Sequence, residues 1–228
     1  MSNESYNQFC PIAMACEIIE PRWTLLILRE MWSGSTRFNE IRRGVPSMSP
    51  TLLSTRLKGM EKNGLITREE NSKQNNIDYK LTELALKLAP IVYDLGKWAH
   101  RNLDTDVTLE HLDAKLLMWN IRRKIDVTAL PRRKVVIEFI FPEQEECSRK
   151  FWLISQPGYC VDLCTKDPAF DVDLYVTSDL KTLTSVWIGL SNLSKALESN
   201  KIKLIGDKEI AKSISHWLVR SYFASNKT

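Results

Sequence analysis

The residues best suited to chemistry in this chain lie in two short stretches. The first runs from Ser47 through Ser49-Pro50-Thr51-Leu52-Leu53-Ser54-Thr55-Arg56-Leu57-Lys58 to Gly64-Leu65. Coiled as a helix with Leu53, Leu57 and Met60 inward, it turns Thr51, Thr55, Lys58 and Lys62 to the opposite side, with Ser54 and Arg56 flanking. Hydroxyls and cations with no acid before Glu61 make a surface for phosphate oxygens and base edges. The second stretch is Cys10-Pro11, where the proline marks a first helical position and sets the cysteine at the N-cap. Cysteine caps poorly, but backbone N–H groups and the helix dipole there favour a thiolate, which invites a functional reading.

Nothing else reads as reactive. His100, His111 and His216 lack metal-ligand spacing, and there is no glycine-rich phosphate loop or nucleophile elbow. No enzyme, metal site or cofactor is expected. Five cysteines in 228 residues do not suggest a disulfide framework, so Cys16, Cys160 and Cys164 are expected as reduced core residues. The longest apolar runs, Leu25 to Leu28 and Val135 to Phe141, fall far below the ~20 residues of a membrane span, and no signal pattern opens the chain. A cytoplasmic protein without a membrane partner is expected. The net charge of +4 decides nothing about nucleic acid.

The elements that must position these residues are legible from their periods. Pro11 to Ile19 predicts a first helix that buries Ile12, Cys16 and Ile19. Pro21 at a first turn opens a second, central helix over Trp23 to Trp32, and Phe38 to Arg43 a short third. Ser49 as N-cap, Pro50 as the first helical residue and Gly64 as the left-handed stop bound the fourth. Two strands follow, Leu65 to Glu70 and Ile77 to Leu81, joined by the polar Asn71 to Asn76. Thr82 then caps a long helix with Leu84, Leu88, Ile91, Leu95 and Trp98 in a coiled-coil-like seam, Pro90 lying off it.

That order, a capped amphipathic helix followed by a hairpin with a polar tip, is the order of a winged helix. The chain here resembles the HxlR-type winged helix-turn-helix regulators, relatives of the MarR regulators. The residues carrying the likeness are Cys10-Pro11, Arg22 to Leu28, Arg37-Phe38-Asn39-Glu40-Ile41, Ser49, Leu53-Ser54, Arg56-Leu57-Lys58, Gly64-Leu65-Ile66, Arg68 and Tyr79-Lys80-Leu81-Thr82. The resemblance implies a homodimer on double-stranded DNA, with the fourth helix in the major groove and the wing by the minor groove. The DNA-contact set it implies is Arg37, Ser47, Ser49, Thr51, Ser54, Thr55, Arg56, Lys58, Arg68, Lys73, Asn75 and Asn76. It further implies thiol sensing at Cys10, and the Leu84-to-Trp98 seam, too long for one domain to use up, is expected to meet a partner subunit. Two departures stand out: Gln74-Asn75-Asn76 replaces the family's usual proline pair and arginine, and Gly59 sits mid-helix at ~1 kcal/mol relative to alanine.

A junction without glycine or proline, Asn102 to Val107, leads into the second half. Leu109 to Ile125 predicts a helix. Strands are expected at Lys134 to Phe141, Lys150 to Ile154, Tyr159 to Cys164 and Val172 to Thr177. Helices at Leu180 to Ile188 and Leu193 to Leu197, a strand at Ile202 to Ile205 and a closing helix over Lys208 to Phe223 complete an α+β pattern. Phe151 to Ile154, Val161 to Thr165, Asp167 to Tyr175 and Leu183 to Gly189 resemble the sterol-carrier-like domains fused to some HxlR-type regulators. That likeness implies a sheet and helices around an apolar pocket for a small apolar effector, with Trp119, Phe139, Trp152, Tyr175 and Trp187 as candidate lining residues.

The expectation is a multidomain chain: a mainly helical winged helix-turn-helix domain over 1–103 and an α+β sterol-carrier-like domain over 104–228. Its function would be ligand- or thiol-responsive DNA binding. The competing reading is a lipid or small-molecule carrier whose helical half only dimerises.

Overall fold

The computed structural model describes residues 5–71, 76–103 and 109–226. The chain forms two compact units, Met1–Leu95 and Gly96–Thr228, the division falling inside one long helix.

In the first unit the helices are α1 (Pro11–Ile19), α2 (Thr24–Trp32), α3 (Phe38–Gly44) and α4 (Pro50–Lys62). The antiparallel strands β1 (Ile66–Asn71) and β2 (Asn76–Leu81) follow, and then α5 (Glu83–Asn102). The core gathers Ile27, Leu28 and Met31 of α2, Ile41 of α3, Leu53, Leu57 and Met60 of α4, and Ile66 of β1. Within it lies a buried carboxylate. Glu30 accepts from the Ser35 hydroxyl at 2.7 Å and lies 3.6 Å from the Arg29 guanidinium. Gly44 packs directly on that carboxylate, where any Cβ would collide with it, and Arg29 also donates to the Gly44 carbonyl at 2.9 Å. A glycine is thus what lets α3 end against α2.

The start of α2 differs from the sequence expectation. Pro21 to Trp23 form a separate turn whose Pro21 carbonyl accepts from the Thr24 N–H and hydroxyl, and Trp23 takes φ +83°. A tryptophan in the left-handed region cannot continue a helix, so α2 begins at Thr24. The buried face expected of α1 is also incomplete: Ala13 is its buried residue, Cys16 and Ile19 are half-buried, and Ile12 is 73% exposed.

The second unit is built on a five-stranded sheet ordered β5-β4-β3-β6-β7. Its strands are β3 (Val135–Ile140), β4 (Lys150–Ser155), β5 (Asp162–Cys164), β6 (Leu174–Ser178) and β7 (Ile202–Gly206). Among the described residues only β3 and β6 pair in parallel. The helices are α6 (Ala114–Lys124), α7 (Glu146–Arg149), α8 (Leu180–Trp187), α9 (Leu193–Glu198), α10 (Lys208–Lys212) and α11 (Ile214–Trp217). One sheet face, carrying Ile137, Phe139, Phe151, Leu153 and Val176, meets Met118, Leu183, Ile210 and Trp217 in the core. Phe139 and Trp217 stack edge to face at 6.5 Å.

Three expectations for this half are corrected. The helix read from Leu109 starts at Ala114, because Asp113 caps it by accepting from Leu116 N–H. The closing helix breaks into α10, α11 and a 3₁₀ turn at Tyr222–Asn226. Its apolar spacing is helical throughout, yet the Trp217 indole and the Ser213 hydroxyl take the Ile210 carbonyl that a continuing helix would use. The strand read over Tyr159 to Cys164 pairs only from Asp162 to Cys164, which leaves Cys160 exposed and Cys164 half-buried rather than core.

Candidate nucleic-acid interface

Local chemistry fixes both ends of α4. The Ser49 hydroxyl accepts from Leu52 N–H at 3.2 Å, Pro50 opens the helix, and Gly64 at φ +69° lets Leu65 N–H reach back to the Met60 carbonyl at 2.9 Å. Thr82 then ties the base of the hairpin to this end, its hydroxyl donating to the Gly64 carbonyl at 2.6 Å and its N–H to Leu65 at 3.0 Å. The hairpin is held a second time at the start of α3, where Tyr79 N–H donates to Thr36 at 2.7 Å and Arg37 stands 3.5 Å from Asp78. Helix and wing are therefore positioned by backbone bonds on two sides.

With Leu53, Leu57 and Met60 buried, Thr51, Thr55 and Lys58 are exposed on the other side of α4, along with Lys62. Neither lysine enters an ion pair among the described residues. The Thr55 hydroxyl donates to the Thr51 carbonyl at 3.0 Å, so towards a partner Thr55 offers a methyl group and an acceptor. Ser49 is exposed at the N-cap, Ser47 precedes it in the turn and is exposed too, and Ser54 is half-buried. Arg56 is not opposite the apolar stripe. Adjacent to Leu57, it lies on the stripe's shoulder, half-buried, with a buried Nε that has no hydrogen-bond partner.

Gly59 lies on the outward side between Thr55 and Lys62, and a Cβ built there would meet no atom within 4 Å. No packing within the described residues requires glycine at this position.

The wing is electrostatically mixed. Arg68 pairs with Glu70 at 3.6 Å, Glu69 pairs with Lys80, and Asn76 closes the pairing with Asn71 at the tip. Arg37, expected at DNA, is engaged with Asp78 while its backbone N–H is capped by Glu40 at 3.2 Å. Lys73 and Asn75 lie outside the described residues, as do residues 104–107 of the junction.

Along α5, Leu84, Ile91, Leu95 and Trp98 form one exposed stripe, Ile91 at 65% and Trp98 at 55%, while Leu88 packs on the core. At α1, Phe9, Ile12 and Met14 are exposed as well. Cys10 occupies the N-cap of α1, and its thiol is held below its ordinary range by the backbone N–H groups of Ala13 and Ile12, although neither closes a full hydrogen bond.

The five aromatics read as pocket lining do not converge. Phe139 and Trp187 belong to the helix-side core. Trp152 and Tyr175 both pair with Glu138 across the sheet and so share its opposite face. The guanidinium groups of Arg122 and Arg123 lie over the ring of Trp119, 4.8 and 5.4 Å from its centroid. Among the described residues no group of acids, histidines and cysteines could hold a metal, and no helix is long and apolar enough to cross a membrane.

Residues 18–107 match the family model described as HxlR-like helix-turn-helix. Over 100 residues the chain is 36% identical to the HTH-type transcriptional regulator YvaP of Bacillus subtilis, covering 43% of this chain and 93% of that protein. It is 32% identical over 96 residues to YybR of the same organism, another HTH-type transcriptional regulator, covering 42% and 77%. Among solved structures, the redox regulator HypR in its oxidized form aligns at 32% identity and a TM-score of 0.39, covering 42% of this chain and 99% of that one.

Proposed function

The chain belongs to the HxlR-like helix-turn-helix family of transcription regulators, and from that premise we propose that it is a homodimer that binds a specific double-stranded DNA site through α4 and its wing. One observation carries this reading: α4 is capped at both ends and anchored by three buried side chains, while its outer side exposes Thr51, Thr55, Lys58 and Lys62 around a bare Gly59, with Leu52 and Glu61 exposed at its edges. Among the described residues of the first unit, none packs on that side. Phosphate oxygens and base edges in the major groove suit hydroxyls and unpaired ammonium groups.

The dimer reading rests on the exposed apolar stripe of α5 together with Phe9, Ile12 and Met14. Exposed apolar surface of this extent marks a protein interface. Cys10, with its lowered thiol pKa at a helix N-terminus, is the site where thiol modification would act. An apolar effector held among Trp119, Phe139, Trp152, Tyr175 and Trp187 is not part of this reading, since Phe139 and Trp187 lie on one side of the sheet and Trp152 and Tyr175 on the other.

The test is a fluorescence-anisotropy titration of the full chain with the duplex upstream of its own gene, with an unrelated duplex as control, alongside sedimentation. A dimer that prefers the upstream duplex is expected, and Leu95→Asp should yield a monomer with weak binding. Equal affinity for both duplexes would defeat the claim of sequence specificity, and a Leu95→Asp dimer of wild-type stability would place the interface elsewhere.

A further inference from the structure

The second unit contains an open groove of about 900 Å³ between α8, α9 and the segment after α11. That is the size of a small-molecule site, but such sites are mostly apolar and this one is not. Four cations line it: Lys181 from α8, Lys195 from α9, Lys201 just beyond α9, and Arg220. They come from four separate places in the sequence, so no helix periodicity accounts for their meeting. None of the four enters an ion pair among the described residues.

The fold holds these cations together by backbone contacts. Gly189, at φ +83°, lies against Ala224 so closely that a Cβ would stand 2.6 Å from its Cα, which brings the α8–α9 turn onto the C-terminal segment. Ser221 N–H donates to the Trp187 carbonyl at 2.8 Å and so fixes the neighbouring Arg220. Lys201 N–H donates to the Ala196 carbonyl at 2.9 Å, which returns Lys201 over α9.

Several other polar side chains of the groove are already committed. The Ser185 and Ser199 hydroxyls donate to the Lys181 and Lys195 carbonyls, each at 2.7 Å. The one carboxylate, Asp179, accepts from the N–H and hydroxyl of Thr182, both at 2.7 Å. What the concavity presents to a ligand is therefore chiefly ammonium and guanidinium N–H, with the Ser191 hydroxyl and Asn192 amide beside them, the complement of a phosphate or carboxylate oxygen. Like charges gathered in a concave surface also focus potential inward.

We infer that this groove binds a small polyanion carrying two or more phosphate or carboxylate groups. A single monovalent anion would engage only part of the four-cation set, whereas a linear or branched polyanion can meet several at once. The inference does not depend on the proposed DNA binding, because it involves no residue of the first unit.

Calorimetric titration of the full chain with tripolyphosphate, orthophosphate and citrate tests it. Saturable tripolyphosphate binding is expected, at least about tenfold tighter than orthophosphate and weakened by added salt. In Lys195→Gln/Arg220→Gln that affinity should fall about tenfold or more, while Lys203→Gln, an exposed lysine outside the groove, leaves it unchanged. Both substitutions replace exposed side chains, and thermal unfolding without ligand should match the wild type, with a tripolyphosphate-induced rise in Tm lost only in the double variant. Absence of saturation with any of the three anions overturns the inference. So does an unchanged affinity in the double variant, or an equal loss in Lys203→Gln, which would reduce the effect to general surface charge. If the double variant loses affinity for duplex DNA and keeps tripolyphosphate binding, the surface serves nucleic acid and the inference fails.

Discussion

Unpaired cations stand on a convex surface in the first unit and line an open concave one in the second. Lys58 and Lys62 stand on the convex side of one helix beside Thr51 and Thr55, whereas Lys181, Lys195, Lys201 and Arg220 meet in a concavity drawn from several elements. The same residue type therefore suits opposite partners. A convex, capped helix can enter a groove of something larger than itself; a concave set of cations can only surround something smaller. Shape, more than charge, separates the expected ligands, and for that reason the +4 net charge of the chain is uninformative.

The largest effect should come from the joint that makes the convex helix possible. Gly44→Ala pushes a methyl group into the buried Glu30 carboxylate, a site with no room to receive it. Overpacking against a desolvated charge should destabilise the first unit by at least about 2 kcal/mol. Urea unfolding followed by circular dichroism measures this, and DNA binding should fail with the fold. An unchanged midpoint would mean that α3 does not close on α2 as described.

Charge removal then separates the two surfaces. Lys58→Ala/Lys62→Ala should weaken DNA binding and lower the salt slope by about 0.9 for each phosphate that is no longer neutralised. It should leave tripolyphosphate binding where it was. Lys195→Gln/Arg220→Gln should do the reverse. Crossed effects in a salt titration would show that the surfaces are not independent, and the contrast between convex and concave would collapse.

The sequence already disclosed the first surface, because everything that makes it is local. Ser49, Pro50 and Gly64 each terminate α4 by their own backbone chemistry, and Leu53, Leu57 and Met60 set its orientation at helical spacing. What it did not disclose was long-range. Arg37 looks available in the sequence, but β2 brings Asp78 beside it, and Arg56 is one position from Leu57, near enough to the core to be drawn half under. The aromatics of the second half have strand and helix spacing, but the pairing of Glu138 with both Trp152 and Tyr175 puts those two on the face opposite Phe139. The groove had no sequence signal at all, since its four cations are spread from Lys181 to Arg220 and no motif joins them.

Gly59 gives a smaller effect with an unusual sign. Since a Cβ there meets nothing in the protein, Gly59→Ala should stabilise α4 by up to about 1 kcal/mol. If the bare backbone at that point allows close approach of a duplex, the same substitution should weaken DNA binding several-fold while raising Tm. A variant that is both more stable and equally avid would show that the outer side of α4 is not pressed against DNA at residue 59.

The smallest effect concerns two thiols, one in each unit, displaced in opposite directions. Backbone N–H groups at the start of α1 lower the pKa of Cys10, whereas burial, and then the nearby Asp162, raise that of Cys164. The thiolate is the reactive form. A lowered pKa keeps Cys10 ionised to lower pH, so its reactivity should persist as pH falls; a raised pKa requires more alkaline solution before Cys164 ionises. In alkylation by iodoacetamide followed by peptide mass spectrometry, the midpoint of the rate–pH profile for Cys10 should lie below that for Cys164. Ser replacement at Cys16, Cys147 and Cys160 simplifies the measurement without touching either thiol. Were Cys164 to react first at neutral pH, the helix N-terminus would not be acting on Cys10, and the case for thiol control at the DNA-binding unit would lose its electrostatic basis.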